Sequence, residues 1–137
     1  MKYFRIHTSD IAYATQKPRG LFTAVWKLVE AKRMTEDEEK EYWRNKEYFE
    51  KALPVPPFYA DGNPDQAVTW FKDNENGNRI FSEMTFYRDM ADKYGLTLYL
   101  SECEKLPGTV VYEDDFQIAV KGSIDSADIT TSILPRE

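Results

Sequence analysis

Leu96-Thr97-Leu98-Tyr99-Leu100-Ser101 alternates leucine with polar or amphipathic side chains, the two-residue period of a strand with one buried face. Downstream, Pro107-Gly108 turns the chain, and residues 109–112 and 116–121 form two β-rich runs about the polar tip Glu113-Asp114-Asp115, the layout of a hairpin. Upstream, Ile80, Met84, Tyr87, Ala91 and Tyr94 recur at helical spacing, and Gly95 stands where a helix wants a left-handed residue just past its end. This spacing predicts one long helix over about 78–94.

Toward the N-terminus, Thr35 with Glu38 reads as a capping box, and Glu36, Asp37, Glu38 and Glu39 fill the first turn, where the helix dipole favours acids. That helix is predicted to run to about residue 53, where Pro54, Pro56 and Pro57 stop it. Leu21, Val25, Leu28 and Val29, widened by Phe22 and Trp26, predict another helix over about 20–33. Residues 8–19 lack periodicity and read as a loop. Tyr3, Arg5 and His7 alternate with Phe4 and Ile6, an opening strand that places Arg5 and His7 on one face. Residues 64–72 suit either state, since Asn63-Pro64 resembles a helix start while Val68-Thr69-Trp70-Phe71 is β-prone; the reading leans to a short helix.

The order is therefore one strand, then helices, then three strands. It predicts an α+β domain over residues 1–122 with a small antiparallel or mixed sheet, covered on one face by about three helices. Residues 123–137 are expected to be a polar tail, in which 129–134 can add an edge strand.

Composition narrows the function. The 137 residues include 8 Phe, 9 Tyr and 3 Trp, ample ring area for one core. No run approaches the ~18 apolar residues of a membrane span, and the N-terminus has no apolar leader, so a cytoplasmic protein without membrane attachment is expected. A lone Cys103 and a lone His7 leave no disulfide framework, no cysteine-based zinc cage and no multi-histidine metal centre, and no cofactor is implied. The net charge of −6 opposes nucleic-acid binding. Residues 1–33 nevertheless carry seven cations against two acids, and the rest eleven against twenty-two. A basic first quarter suits a small anion.

Four groups of residues bear on chemistry. Arg5, His7, Lys17 and Arg19, with the amides that open the helix near Gly20, make a candidate anion site, although no phosphate-loop or dinucleotide glycine pattern is present. Glu113-Asp114-Asp115 reads as a solvated turn more readily than as a cation site. Cys103 with His7 reads as a buried thiol and a separate histidine more readily than as a nucleophile and its base. Pro56-Pro57-Phe58-Tyr59 matches a proline-rich recognition pattern, but its rings are better used against the core. Any of Phe58, Tyr59, Trp70 and Phe71 left exposed would be the expected patch for a protein partner.

Two resemblances complete the reading. Arg19-Gly20-Leu21-Phe22, then Leu-Pro-x-Pro-Pro-Phe-Tyr from Leu53, Asn-Pro-x-x-Ala-Val-Thr-Trp-Phe-Lys from Asn63 and Pro-Gly-Thr-Val-Val-Tyr-Glu-Asp-Asp-Phe-Gln-Ile-Ala from Pro107 resemble a group of small bacterial proteins with no activity to carry over. More distantly, Arg5 or His7 on the opening strand and Glu113 near a late one are similar to the first and last motifs of the ADP-ribosyltransferase superfamily, whose middle motif would fall at Thr69-Trp70-Phe71. That likeness implies an NAD-type transferase with Arg5, His7 and Glu113 in one cleft. The residues themselves favour a noncatalytic binding or regulatory protein contacting another protein or a small anion.

Overall fold

A computed structural model describes residues 2–13, 15–122 and 128–134. The strands are β1 (Tyr3–Ile11), β2 (Pro18–Gly20), β3 (Val68–Lys72), β4 (Tyr99–Cys103), β5 (Thr109–Glu113), β6 (Gln117–Lys121) and β7 (Thr130–Ile133). The helices are α1 (Leu21–Glu30), α2 (Glu36–Ala52), α3 (Glu75–Glu83) and α4 (Thr85–Lys93), with a 3-10 turn over Pro57–Asp61. The strands form one sheet in the order β5-β6-β3-β1-β4-β7, with β2 added to β1 off that path. Every pairing is antiparallel. The α+β class is as the sequence implies.

Alternation along β1 divides the interior. Ile6 joins the helical side chains Leu21, Val25, Leu28, Ile80 and Tyr87 in the larger core, and Phe4 stacks on Phe71 and meets the edge of Phe81. Tyr3 lies against the second cluster, which holds Val68, Trp70, Cys103, Ile118 and Val120 and contains no helical residue. The helices therefore cover one face. Tyr87 is 2% exposed and meets Phe22 at 4.8 Å and Phe49 at 5.7 Å, so α1, α2 and α4 converge on one ring. Such ring pairs contribute about 0.5–1.5 kcal/mol each beyond burial alone.

Several expectations are corrected. Residues 68–72 form a central strand, not a short helix. Asn63 accepts from the Ala67 amide at 2.9 Å and donates to the Ala67 carbonyl at 3.0 Å, while Asn63 and Gln66 take positive φ, so the chain is closed into a loop before helix can begin. Val68 and Trp70 then turn inward, which buries Trp70 to 5% exposure and removes it from any surface patch. The helix expected over 78–94 is two helices. Asn74 caps α3 by accepting from the Gly77 amide at 2.8 Å, and the break falls at Met84, whose amide reaches back only to Phe81. The first strand continues to Ile11, and residues 18–20 are a strand rather than part of a loop. The β4 strand starts at Tyr99 because the Leu96 amide is still bonded to the Ala91 carbonyl, closing the end of α4 over Gly95 at φ +77°.

The Thr35–Glu38 capping box is present. Within the expected tail, Thr130–Ile133 pairs with β4 as an edge strand; residues 123–127 and 135–137 lie outside the described residues.

Gly77 holds α3 against β3, since a Cβ there would sit 1.9 Å from the Lys72 carbonyl oxygen. Backbone cannot yield as a flexible side chain does. Gly77→Ala is expected to lower the unfolding free energy by about 2–3 kcal/mol in urea denaturation. A loss below about 0.5 kcal/mol contradicts the close approach.

Candidate functional site: a pocket at the divided edge of β1

One edge of β1 is paired without interruption to β4 from Tyr3 to His7. The other edge is shared by two strands in tandem: β3 takes Tyr3 and Phe4, and β2 takes His7 and Ile11. Arg5 and Ile6 fall between them. A pocket of about 770 Å³ opens at this gap, and Arg5, Gly20, Tyr59, Thr69 and Gln117 are among its walls. Its size falls in the range of small-molecule sites.

Arg5 is its distinctive group. The guanidinium donates through Nη2 to the Pro18 carbonyl, and Gly20 of β2 runs beside it, where a Cβ would stand at ordinary contact distance, 3.7 Å, from Nη2. No carboxylate pairs with it among the described residues. Burial pushes its pKa down to about 10, opposed by the nearby Tyr59, so it stays charged at neutral pH. Among the described residues only Nη2 has a protein acceptor, and the half-buried side chain leaves the other donors of its planar fork within reach of solvent or a ligand.

The rest of the wall is apolar or weakly polar. Tyr42 and Phe49 of α2 and Tyr87 of α4 supply rings, and Phe71 and Leu53 continue the surface. Tyr59 bonds Thr69 Oγ1 at 3.0 Å. Gln117 is buried at the end of β6 and donates to the Pro54 carbonyl at 2.6 Å, which fastens the proline segment over the pocket. Gly20 is the N-cap of α1, with no side-chain cap and no acid in the first turn, and Leu21, Phe22 and Thr23 lie on the wall.

The structure therefore brings together Arg5, Arg19 and Gly20 of the expected anion site, but not Lys17 or His7. Arg19 is already committed, donating from Nε to Asp10 at 2.7 Å. Lys17 contributes a backbone carbonyl to the β1–β2 turn, and its side chain is not on the wall. His7 is buried with both ring nitrogens engaged. Nδ1 lies 2.7 Å from the Thr8 carbonyl, which can only accept, so Nδ1 carries the proton and Nε2 accepts from Ser101 Oγ at 2.7 Å. Ser101 Oγ is also bonded to Thr131 Oγ1 at 2.9 Å.

Glu113 lies off the pocket wall, paired with Lys72 at 2.5 Å. Arg5, His7 and Glu113 thus do not form one cleft. Asp114 is consumed by its own turn, accepting from the Phe116 and Gln117 amides at 2.8 and 3.0 Å and from the Tyr112 hydroxyl at 2.6 Å. Cys103 is buried in the second cluster, where burial raises its thiol pKa, and His7 is bonded to other groups.

Phe58 packs on Tyr59 at 4.6 Å, Phe71 on Phe4 at 5.6 Å, and Tyr59 is 46% exposed at the pocket. Tyr59 and Phe71 line the pocket and Phe58 packs against Tyr59 and Tyr112, which does not amount to a shared outer patch. Comparison with protein-family models, with curated proteins and with solved structures gave no match.

Four wall groups escaped sequence reading. Tyr42, Phe49 and Tyr87 look like ordinary core rings at helical spacing. Gln117 carried a usable signal: it opens the run Gln117-Ile118-Ala119-Val120, all of it buried, and a buried amide needs partners.

Burial is the main cause that lowers the His7 pKa below 6.5; Arg5 lowers it further, while the bond to the Thr8 carbonyl opposes the shift. The unfolded chain then binds a proton that the native protein does not, so stability is full above 6.5 and falls as pH drops toward the native value. Equilibrium unfolding of His7→Gln is expected to lose that acid-side slope. A wild-type slope that persists unchanged in the variant contradicts a neutral buried His7.

Proposed function

We propose that this chain binds a small organic anion in the pocket between β2 and β3, with the anionic group on the Arg5 guanidinium and an apolar body against the rings of α2 and α4. The observation that carries the reading is a charged, half-buried guanidinium in a ligand-sized pocket with no carboxylate partner among the described residues. Burying a charge without a counter-charge is costly, and a carboxylate or phosphate that completes its fork restores what was lost. The opening turn of α1 adds a favourable dipole at the same wall.

The role is binding rather than catalysis. His7 is held by Thr8 and Ser101 and Glu113 by Lys72, and the one carboxylate on the pocket wall among the described residues, Glu50, is paired with Lys46 at 2.6 Å. Of the rings considered for a protein partner, Trp70 is interior and the others line the pocket or each other. A small ligand therefore fits better than a protein surface.

Thermal shift and calorimetric titration with phenyl phosphate, benzoate and inorganic phosphate test this, because a ligand preferring the native form raises its apparent stability. Wild type is expected to be stabilised by phenyl phosphate, and Arg5→Met to lose that response while its ligand-free unfolding free energy stays within about 1 kcal/mol of wild type or rises. A variant that binds equally well, or one that loses several kcal/mol because Arg5 is a strut to Pro18, contradicts the proposal.

A further inference from the structure

The pocket wall is electrostatically unlike the chain around it. Among the described residues four cations, Arg5, Arg19, Lys27 and Lys46, stand on it against the single carboxylate of Glu50, in a chain whose net charge is −6. They differ in availability. Arg19 is tied to Asp10 at 2.7 Å and Lys46 to Glu50 at 2.6 Å. Lys27 of α1 faces Glu30 only at 3.8 Å, beyond hydrogen-bond reach, and its side chain is 56% exposed. A guanidinium thus lies inside with spare donors and an ammonium stands further out with all of its own.

The same wall carries ring and aliphatic surface from Phe22, Phe49, Leu53 and Tyr87. A ligand carrying one anionic group would leave the outer ammonium facing water. One with two anionic groups joined by an apolar spacer would engage both charges and cover the rings. Resting on the reading of this pocket as an anion site, we propose that its occupant is a bis-anionic organic molecule, the inner group on Arg5, the apolar spacer along the α1, α2 and α4 rings, and the outer group at Lys27 with Lys46 beside it. The excess of positive charge would also speed capture of such a ligand despite the acidic body, because a cleft focuses the field of its own lining.

Hexyl phosphate and hexane-1,6-diyl bisphosphate differ only in the second anionic group, and their flexible spacer lets that group find its partner. Calorimetric titration at low ionic strength is expected to show the bisphosphate binding wild type about fivefold or more tightly than the monophosphate, as two partly exposed ion pairs allow. In Lys27→Gln/Lys46→Gln that ratio is expected to fall to within about twofold, and ~0.5 M salt should do the same to wild type.

Equal affinities for the two probes in wild type, or a ratio that survives the double substitution, overturn the bis-anion proposal. If the monophosphate still binds wild type and loses binding in Arg5→Met, the pocket remains an anion site for a singly charged ligand. Failure of both probes to bind wild type overturns both readings.

Discussion

The divided pairing of β1 is the constraint on which the site depends. A nine-residue strand offers one unbroken edge to β4 and, on its other edge, two partners that cannot meet. The β2 strand is only three residues long and begins with proline, which has no amide to give, and β3 is bonded to β1 only at Tyr3 and Phe4. Where neither reaches, the edge of a central strand must be covered by side chains. Arg5 occupies that position and bridges to Pro18, while the rings of three helices and the Pro54–Asn63 segment enclose what remains.

Chemistry follows from that enclosure. An arginine on an outer strand would be fully solvated; the same arginine at an internal gap is half-buried yet remains charged. The second titratable group on the same strand shows the opposite solution. His7 gives up its charge and satisfies both nitrogens within a carbonyl, serine and threonine chain. Two residues apart on one strand, one polar group is closed within the protein and the other retains capacity for a ligand.

Much of the architecture was legible because local rules agreed with one another. The Thr35 cap, the first-turn acids and the prolines after Leu53 all mark the same helix, and the alternation of Phe4 and Ile6 against Arg5 assigns the faces of β1 correctly. Residues 68–72 misled because Pro64 is a good helix starter, whereas Asn63 uses its side chain to close a loop with Ala67, a tertiary choice invisible in propensity. Met84 looked like the middle of a helix, but the chain turns there to bring Tyr87 under Phe22 and Phe49. Of the candidate site, Arg5 was visible as a cation near Gly20; its isolation was not, because the gap between β2 and β3 arises from pairing register. Lys17 and Arg19 share the basic composition, yet one is a turn residue and the other is neutralised by Asp10.

The central claim is that the Arg5 fork has room and charge for an anion from solution. Crystals of the protein soaked in bromide and measured at the bromine absorption edge test it most directly. An anomalous peak is expected within hydrogen-bond distance of the Arg5 guanidinium, between β2 and β3. A guanidinium found saturated by protein carboxylate or carbonyl oxygens, with no peak beside it, would contradict the account.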